Sequence, residues 1–167
     1  MSAEEIERQK NTRKSWEKDG LKLEVVWVRD HFCGYVTFKK RPFREIGYDG
    51  FLTYVPVHGG ITYSHENKDK TMTYGFDCAN AGDYVERSFR TLYTQHGHKW
   101  TQEEVEAETE KLAKALLIAK KFELWYLRNI SNKGKAKVID EYTKELGEQL
   151  DISDNFGVAI NLLGGKL

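Results

Sequence analysis

The chain has 167 residues, and its 26 lysines and arginines balance 26 aspartates and glutamates. This length suits one domain with a sizeable core, while the balanced charge argues against general nucleic-acid binding, which needs a basic surplus. No segment approaches the roughly 18 apolar residues of a membrane span, and the charged N-terminus resembles neither a signal peptide nor a transit peptide. Two cysteines are too few for a disulfide framework, so we expect a protein of the reducing cytoplasm.

The first 20 residues carry a charge at nearly every second position, with only Ile6 and Trp16 as large apolar side chains. This pattern is typical of a helix on the protein surface. Asp19-Gly20 has the composition of a turn, so we predict that the helix ends there.

Residues 21–93 are rich in β-branched and aromatic side chains, which favour strands. Two of the segments alternate in polarity and are separated by a short connection, which predicts an antiparallel hairpin. Pro56 places another strand at a sheet edge or a bulge. Since no crossover helices separate the strands, we expect a mainly antiparallel sheet of four or more strands. The predicted strands are Leu21–Val28, Phe32–Lys39, Phe51–His58 with its continuation Ile61–Ser64, and Thr71–Asp77.

The C-terminal part is predicted to be helical. Residues Thr101–Glu104 form a capping box, which begins a long helix that should run to about Asn129. A second helix is predicted at about 135–148, whereas the tail, residues 151–167, has no clear assignment. The long helix has an apolar face that should pack on the sheet or on a partner, formed by Leu112, Leu116, Phe122, Trp125 and Tyr126.

Together these elements predict an α+β fold, in which a mainly antiparallel sheet packs against a long C-terminal helix. Residues 1–20 form the charged N-terminal helix, and residues 21–150 form a single domain with its sheet in 21–93 and its helices in 101–148.

The most unusual sequence lies in two stretches, Val57–Ser64 and Tyr74–Asp83. The first contains His-Gly-Gly, whose glycines permit positive φ and let backbone amides approach an anion. The second contains Asp77-Cys78 and closes on a Gly-Asp turn. If the strands pair across the turn at 65–70, both stretches lie near the same end of the sheet. This end of the sheet is therefore the candidate site.

Three functional interpretations of this site compete. His58 and Cys78 could form a base and a nucleophile, with Asp77 or Asp83 orienting the imidazole. The histidine and both aspartates, joined by His31, could instead bind a divalent metal. The third interpretation is a pocket for a polar small molecule such as a nucleotide. A purely structural interpretation also exists, in which the glycines form turns and the aspartates cap them.

Binding is favoured over catalysis, because no complete catalytic set can be named; His58 and Cys78 are the only catalytic candidates. We assign no metal site, and the sequence does not identify a cofactor. Arg41 and Arg44 form part of a basic loop that could clamp a phosphate, whereas His96-Gly97-His98 is interpreted as a polar loop. The predicted ligand-binding residues are His58, Gly59, Gly60, Tyr63, Ser64, Asp77, Cys78, Gly82, Asp83, Arg41 and Arg44.

Three stretches, Gly34-Tyr35-Val36, Val57–Ser64 and Gly75–Asp83, resemble a family of small proteins of unknown function encoded by tailed phages and prophages. The resemblance covers about residues 32–84, and Asn80 stands where that family has histidine. Any role that needs an imidazole at this position is therefore lost here.

This resemblance implies a phage accessory protein in the host cytoplasm, a class in which counter-defence factors are common. Such a protein could sequester a nucleotide immune signal, which is the function we expect first, or hydrolyse it. A third alternative is direct inhibition of a host defence protein through the apolar face of 112–127 or through the tail. The same face could instead form a homo-oligomer.

Overall fold

The structure is a computed structural model that describes residues 1–43, 52, 55–85, 96–133, 141, 144, 147 and 148. It shows an α+β fold in which all strand pairs are antiparallel and the sheet order is β1-β2-β3-β5-β4. The predicted fold class is confirmed. No helix within the described ranges is both long enough and apolar enough to cross a membrane. The elements are α1 (Ala3–Lys10), β1 (Thr12–Lys18), β2 (Leu21–Val28), β3 (His31–Phe38), β4 (Tyr63–Glu66), β5 (Met72–Asp77) and α2 (Gln102–Lys133).

The prediction of one helix up to Asp19 was wrong for the second half of that segment. Helix α1 ends at Lys10, and Thr12–Lys18 forms the edge strand β1, which pairs with β2. Asp19 and Gly20 both have positive φ, 51° and 76°, as a type I′ hairpin turn requires. Asp-Gly is a typical hairpin sequence. It was interpreted as a helix end because the charged composition of β1 does not indicate a strand.

This turn gives a direct test of the backbone conformation. We expect Gly20→Ala to lower the free energy of unfolding by about 1 kcal/mol. A Cβ on Gly20 would meet nothing within 4 Å, so the cost is conformational only. Asp19→Gly, at the other central position, should be neutral or slightly stabilising. Urea denaturation of both variants checks this, and equal losses in the two would contradict the assignment.

The β2–β3 hairpin is confirmed, with Leu23 opposite Val36 and Val25 opposite Gly34. These residues lie on the face that packs against α2, where the core is formed. Gly34 permits this approach, because a Cβ there would overlap the Thr109 hydroxyl of α2 and the Phe76 ring. The largest fully buried side chains of this core are Tyr74, Phe76, Leu23, Met72, Leu112 and Leu116.

The predicted third strand, Phe51–His58, is not a strand wherever the structure describes it. Leu52 and Val55 are buried in the core without strand pairing, and His58 begins a turn. Pro56 cannot donate to a sheet, and Gly59 and Gly60 bend the chain with φ of 67° and 81°. Strand β4 therefore starts only at Tyr63, and β5 matches the predicted fourth strand closely.

The predicted start of the long helix is confirmed. The Thr101 amide donates to Glu104 Oε2 at 2.8 Å, and the Glu104 amide donates back to Thr101 Oγ1 at 3.3 Å. Leu112 and Leu116 of α2 are fully buried against the sheet. The side chains of Phe122, Trp125 and Tyr126, most of the predicted helix 135–148 and the tail 151–167 lie outside the described residues.

Candidate functional site

The structure brings His58 and Asp83 into direct contact at one end of the sheet. His58 Nε2 lies 2.7 Å from Asp83 Oδ2, and the His58 amide donates to Glu108 Oε1 of α2 at 2.8 Å. The side chain of Asp83 is 2% exposed, whereas that of His58 is 27% exposed. A buried carboxylate thus holds a partly exposed imidazole in one orientation.

Asp83 accepts two further hydrogen bonds. Trp100 Nε1 donates to Oδ1 at 2.8 Å, and the Asn80 amide donates to Oδ2 at 2.8 Å. Burial acts to raise the pKa of Asp83, but the hydrogen bonds from His58, Trp100 and Asn80 outweigh it and hold the pKa below its usual value. Asp83 is therefore ionised at neutral pH. Since a carboxylate can only accept hydrogen bonds, the Nε2–H group of His58 is the donor in this contact.

A short parallel bridge fixes the backbone around this carboxylate. The His98 amide donates to the Gly82 carbonyl at 2.8 Å, and the Tyr84 amide donates to the His98 carbonyl at 2.9 Å. Gly97 allows the two segments to approach, because a Cβ there would overlap the Asp83 backbone. Gly82 has φ of 96° and completes the turn. The segments 80–84 and 97–100 together position the site.

Trp100 connects the His58–Asp83 pair to a cavity. Its indole ring lies 4.5 Å from the His58 ring, measured between centroids. It also lines a cavity of about 240 Å³, which borders the β2–β3 turn. The walls are mainly aromatic, with polar groups among them. The lining residues are Trp27, Asp30, His31, Phe32, Cys78, Tyr84, Lys99 and Trp100.

Cys78 lies in the wall of this cavity but is not paired with His58. Its side chain is buried, with 1% of the residue exposed, and no hydrogen bond joins it to His58 within the described residues. Burial raises the pKa of the Cys78 thiol, which disfavours the reactive thiolate. Asp77 is also not joined to the pair, since its Oδ1 accepts from the Ala79 amide at 3.0 Å.

Gly59 and Gly60 form the turn that follows His58. Gly60 donates its amide to the Val57 carbonyl at 2.9 Å. A Cβ on Gly59 would overlap the side chain of Asn80, so this glycine lets the His58 turn approach the Asp83 turn. These two predicted residues therefore lie next to the His58–Asp83 pair.

Other predicted residues lie elsewhere. Tyr63 and Ser64 are on β4, and the Tyr63 ring packs at 5.2 Å against Tyr35 on the face that carries α1. Arg41 Nε donates to the Phe43 carbonyl at 2.9 Å. Arg44 lies outside the described residues. The structure thus does not bring Tyr63 or Arg41 to the His58–Asp83 pair.

No cluster of three or more potential metal ligands is found among the residues that the structure describes. His31 Nδ1 lies 3.0 Å from Asp30 Oδ1, and His98 Nε2 lies 3.1 Å from Glu104 Oε1, so each histidine has a different carboxylate partner. The metal interpretation of His58, Asp77 and Asp83 gains no support from this geometry.

The sequence analysis missed Trp100 and Lys99, two residues of the cavity wall. Both precede the capping box of α2. An indole N–H next to a helix start, with a polar loop before it, was the available signal, because buried Trp N–H groups usually find an acceptor. The identity of that acceptor depended on tertiary contacts.

No protein-family model matches this chain, and no match was found among curated proteins or among solved structures.

Proposed function

We propose that this protein binds a nucleotide-like small molecule in the aromatic cavity at the end of the sheet. The observation that carries the proposal is the composition of its walls. Trp27 and Phe32 stand edge to face, with centroids 4.6 Å apart, and Tyr84 and Trp100 also line the space. Aromatic side chains of this kind can stack on any nucleobase, because every base has a π-face.

The polar groups of the cavity complement the rest of such a ligand. Lys99 Nζ lies 5.3 Å from the Tyr84 ring centroid and brings a positive charge to the lining, where it can attract a phosphate. Asp30 supplies a carboxylate that can accept from ribose hydroxyls or from a base. Ligand sites commonly combine apolar walls with a few such polar groups.

Calorimetric titration with the four common nucleosides and their 5′-monophosphates tests this proposal. We expect Trp27→Ala to weaken the binding of those that bind by roughly tenfold to a hundredfold, because it removes one stacking surface. Trp16→Ala is the matched control, since Trp16 packs against the core on β1 and does not line the cavity. Equal effects of the two substitutions, or no binding by the wild type, would refute the proposal.

Hydrolysis is the alternative that one observation favours, namely the imidazole of His58 oriented by Asp83. An oriented histidine can act as a general base. Recovery of the bound nucleotide after denaturation separates the two functions by mass spectrometry. An intact ligand supports binding, whereas turnover that His58→Ala abolishes without loss of affinity supports the hydrolase. The counter-defence setting rests on the sequence resemblance and stays a prediction.

A further inference from the structure

We propose that the ligand is a nucleoside polyphosphate whose phosphates extend over the β2–β3 turn into a second cavity, where Arg8 and Arg29 bind them. This inference rests on the proposed function, since it assigns the base to the aromatic cavity. The second cavity measures about 260 Å³ and lies on the face of the sheet that carries α1.

The two cavities meet at the β2–β3 turn. His31 lines both of them, Asp30 lines the aromatic cavity, and Val28 and Arg29 line the second. Trp27 and Val28 are successive residues of β2, so their side chains point to opposite faces of the sheet. A ligand that passes around this turn therefore reaches both faces.

Arg8 is a largely buried cation with weak partners. Its side chain is 14% exposed, and its guanidinium nitrogens lie 3.5 Å from Tyr63 Oη, 3.4 Å from Asn67 Oδ1 and 3.8 Å from Glu24 Oε2. Charge-assisted hydrogen bonds are normally about 2.7–2.9 Å long, and a guanidinium has five donors. Glu24 is much closer to Lys22, at 2.7 Å. Arg8 thus retains capacity for a phosphate oxygen.

Arg29 adds a second cation to the lining of this cavity. It is exposed and sits at φ of 58° in the two-residue turn, which fixes its place between the strands. Glu4 and Glu7 also line the cavity, but both are exposed on α1. Solvent and salt screen exposed charges more than buried ones, so these two carboxylates offset the attraction of Arg8 for an anion only in part.

The sizes of the cavities favour a ligand with several phosphates. The aromatic cavity, at about 240 Å³, is smaller than the roughly 300–1,000 Å³ of a site for a drug-sized ligand. It suits one base, and the remainder of the ligand must lie outside it. The second cavity offers two guanidiniums, the side chain that suits phosphate best.

The experiment compares adenosine, guanosine, their 5′-triphosphates and inorganic tripolyphosphate as ligands in calorimetry. We expect at least one triphosphate to bind about tenfold or more tightly than its nucleoside, since it adds charge-assisted hydrogen bonds. Arg29→Ala should remove most of that gain and leave the affinity for the nucleoside unchanged. Arg8→Ala should do the same and should weaken the binding of tripolyphosphate.

Arg13→Ala is the matched control, because Arg13 is exposed on β1 and lines neither cavity. Because Arg29 is exposed, its variant keeps the test valid even if Arg8→Ala does not fold. Nucleoside binding that depends on Trp27, with no effect of Arg29→Ala on the triphosphate, would overturn this inference alone. Absence of any nucleoside binding would overturn the proposed function and this inference with it.

Discussion

Asp83→Asn is expected to lower the free energy of unfolding by about 2–3 kcal/mol at neutral pH. An amide has one acceptor oxygen, whereas the carboxylate of Asp83 accepts from His58, Trp100 and the Asn80 amide. The NH₂ group would face N–H donors, and at 2% side-chain exposure water cannot replace the lost acceptor. Urea denaturation of both proteins measures the difference.

Asp77→Asn is the matched control for this substitution. The Asp77 side chain accepts a hydrogen bond from the Ala79 amide, and an asparagine oxygen can accept it equally well. We expect a loss below about 0.5 kcal/mol for this variant. Similar losses in the two variants would show that Asp83 is not the centre of the site.

The destabilisation caused by Asp83→Asn should also depend on pH. The folded-state pKa of Asp83 is lowered from the ordinary 3.8, so its contribution to stability is present above the unfolded-state pKa. This contribution is lost as the pH falls through the folded-state pKa. The difference between the two proteins should therefore be constant near neutral pH and shrink below about pH 4. If the difference in unfolding free energy stayed constant down to pH 3, Asp83 would not be ionised in the folded protein.

The parts of the fold that could be predicted depend on local patterns. Alternating polarity predicted β2 and β3, because one face of each strand packs on α2. The Thr101–Glu104 capping box predicted the start of α2, because its two hydrogen bonds need only residues three apart. Contacts between residues this close in the chain can be predicted from the sequence alone.

Strand β1 could not be predicted from polarity. Its charged side chains carry no clear alternation, because β1 is an edge strand with one half-buried face around Trp16. Lys14 and Lys18 lie on that face and form ion pairs with Glu106 and Glu110 of α2. Charges that bridge two elements look the same in sequence as charges that face solvent.

The candidate site was predicted only in part for a related reason. The glycine turn and the Gly-Asp turn were found from local sequence, and the contact between His58 and Asp83 agrees with that placement. Trp100 comes from a segment beyond residue 95, and no periodic pattern links it to Asp83. The cavity wall forms where three loops come together. The relative positions of these loops depend on how the whole core packs.

Gly97→Ala is expected to destabilise the protein and weaken ligand binding together. The added Cβ would overlap the backbone carbon of Asp83, which cannot rotate away as a side chain can. The parallel bridge between 83 and 98 must then open, at a cost of about 1–3 kcal/mol for overpacking. Trp100 would move with it, so any nucleotide that binds the wild type should bind more weakly.

Gly147→Ala is the control for the Gly97 substitution. A Cβ at Gly147 would meet nothing within 4 Å, and the residue is helical, so alanine should be neutral or slightly stabilising there. Urea denaturation and calorimetry on both variants measure stability and affinity. If Gly97→Ala lost stability but kept full affinity, Trp100 would hold its place without the bridge, and Asp83 alone would position the cavity wall. If Gly97→Ala changed neither stability nor affinity, the close approach of 82–84 and 97–98 would be wrong. The geometry of the site would then be wrong as well.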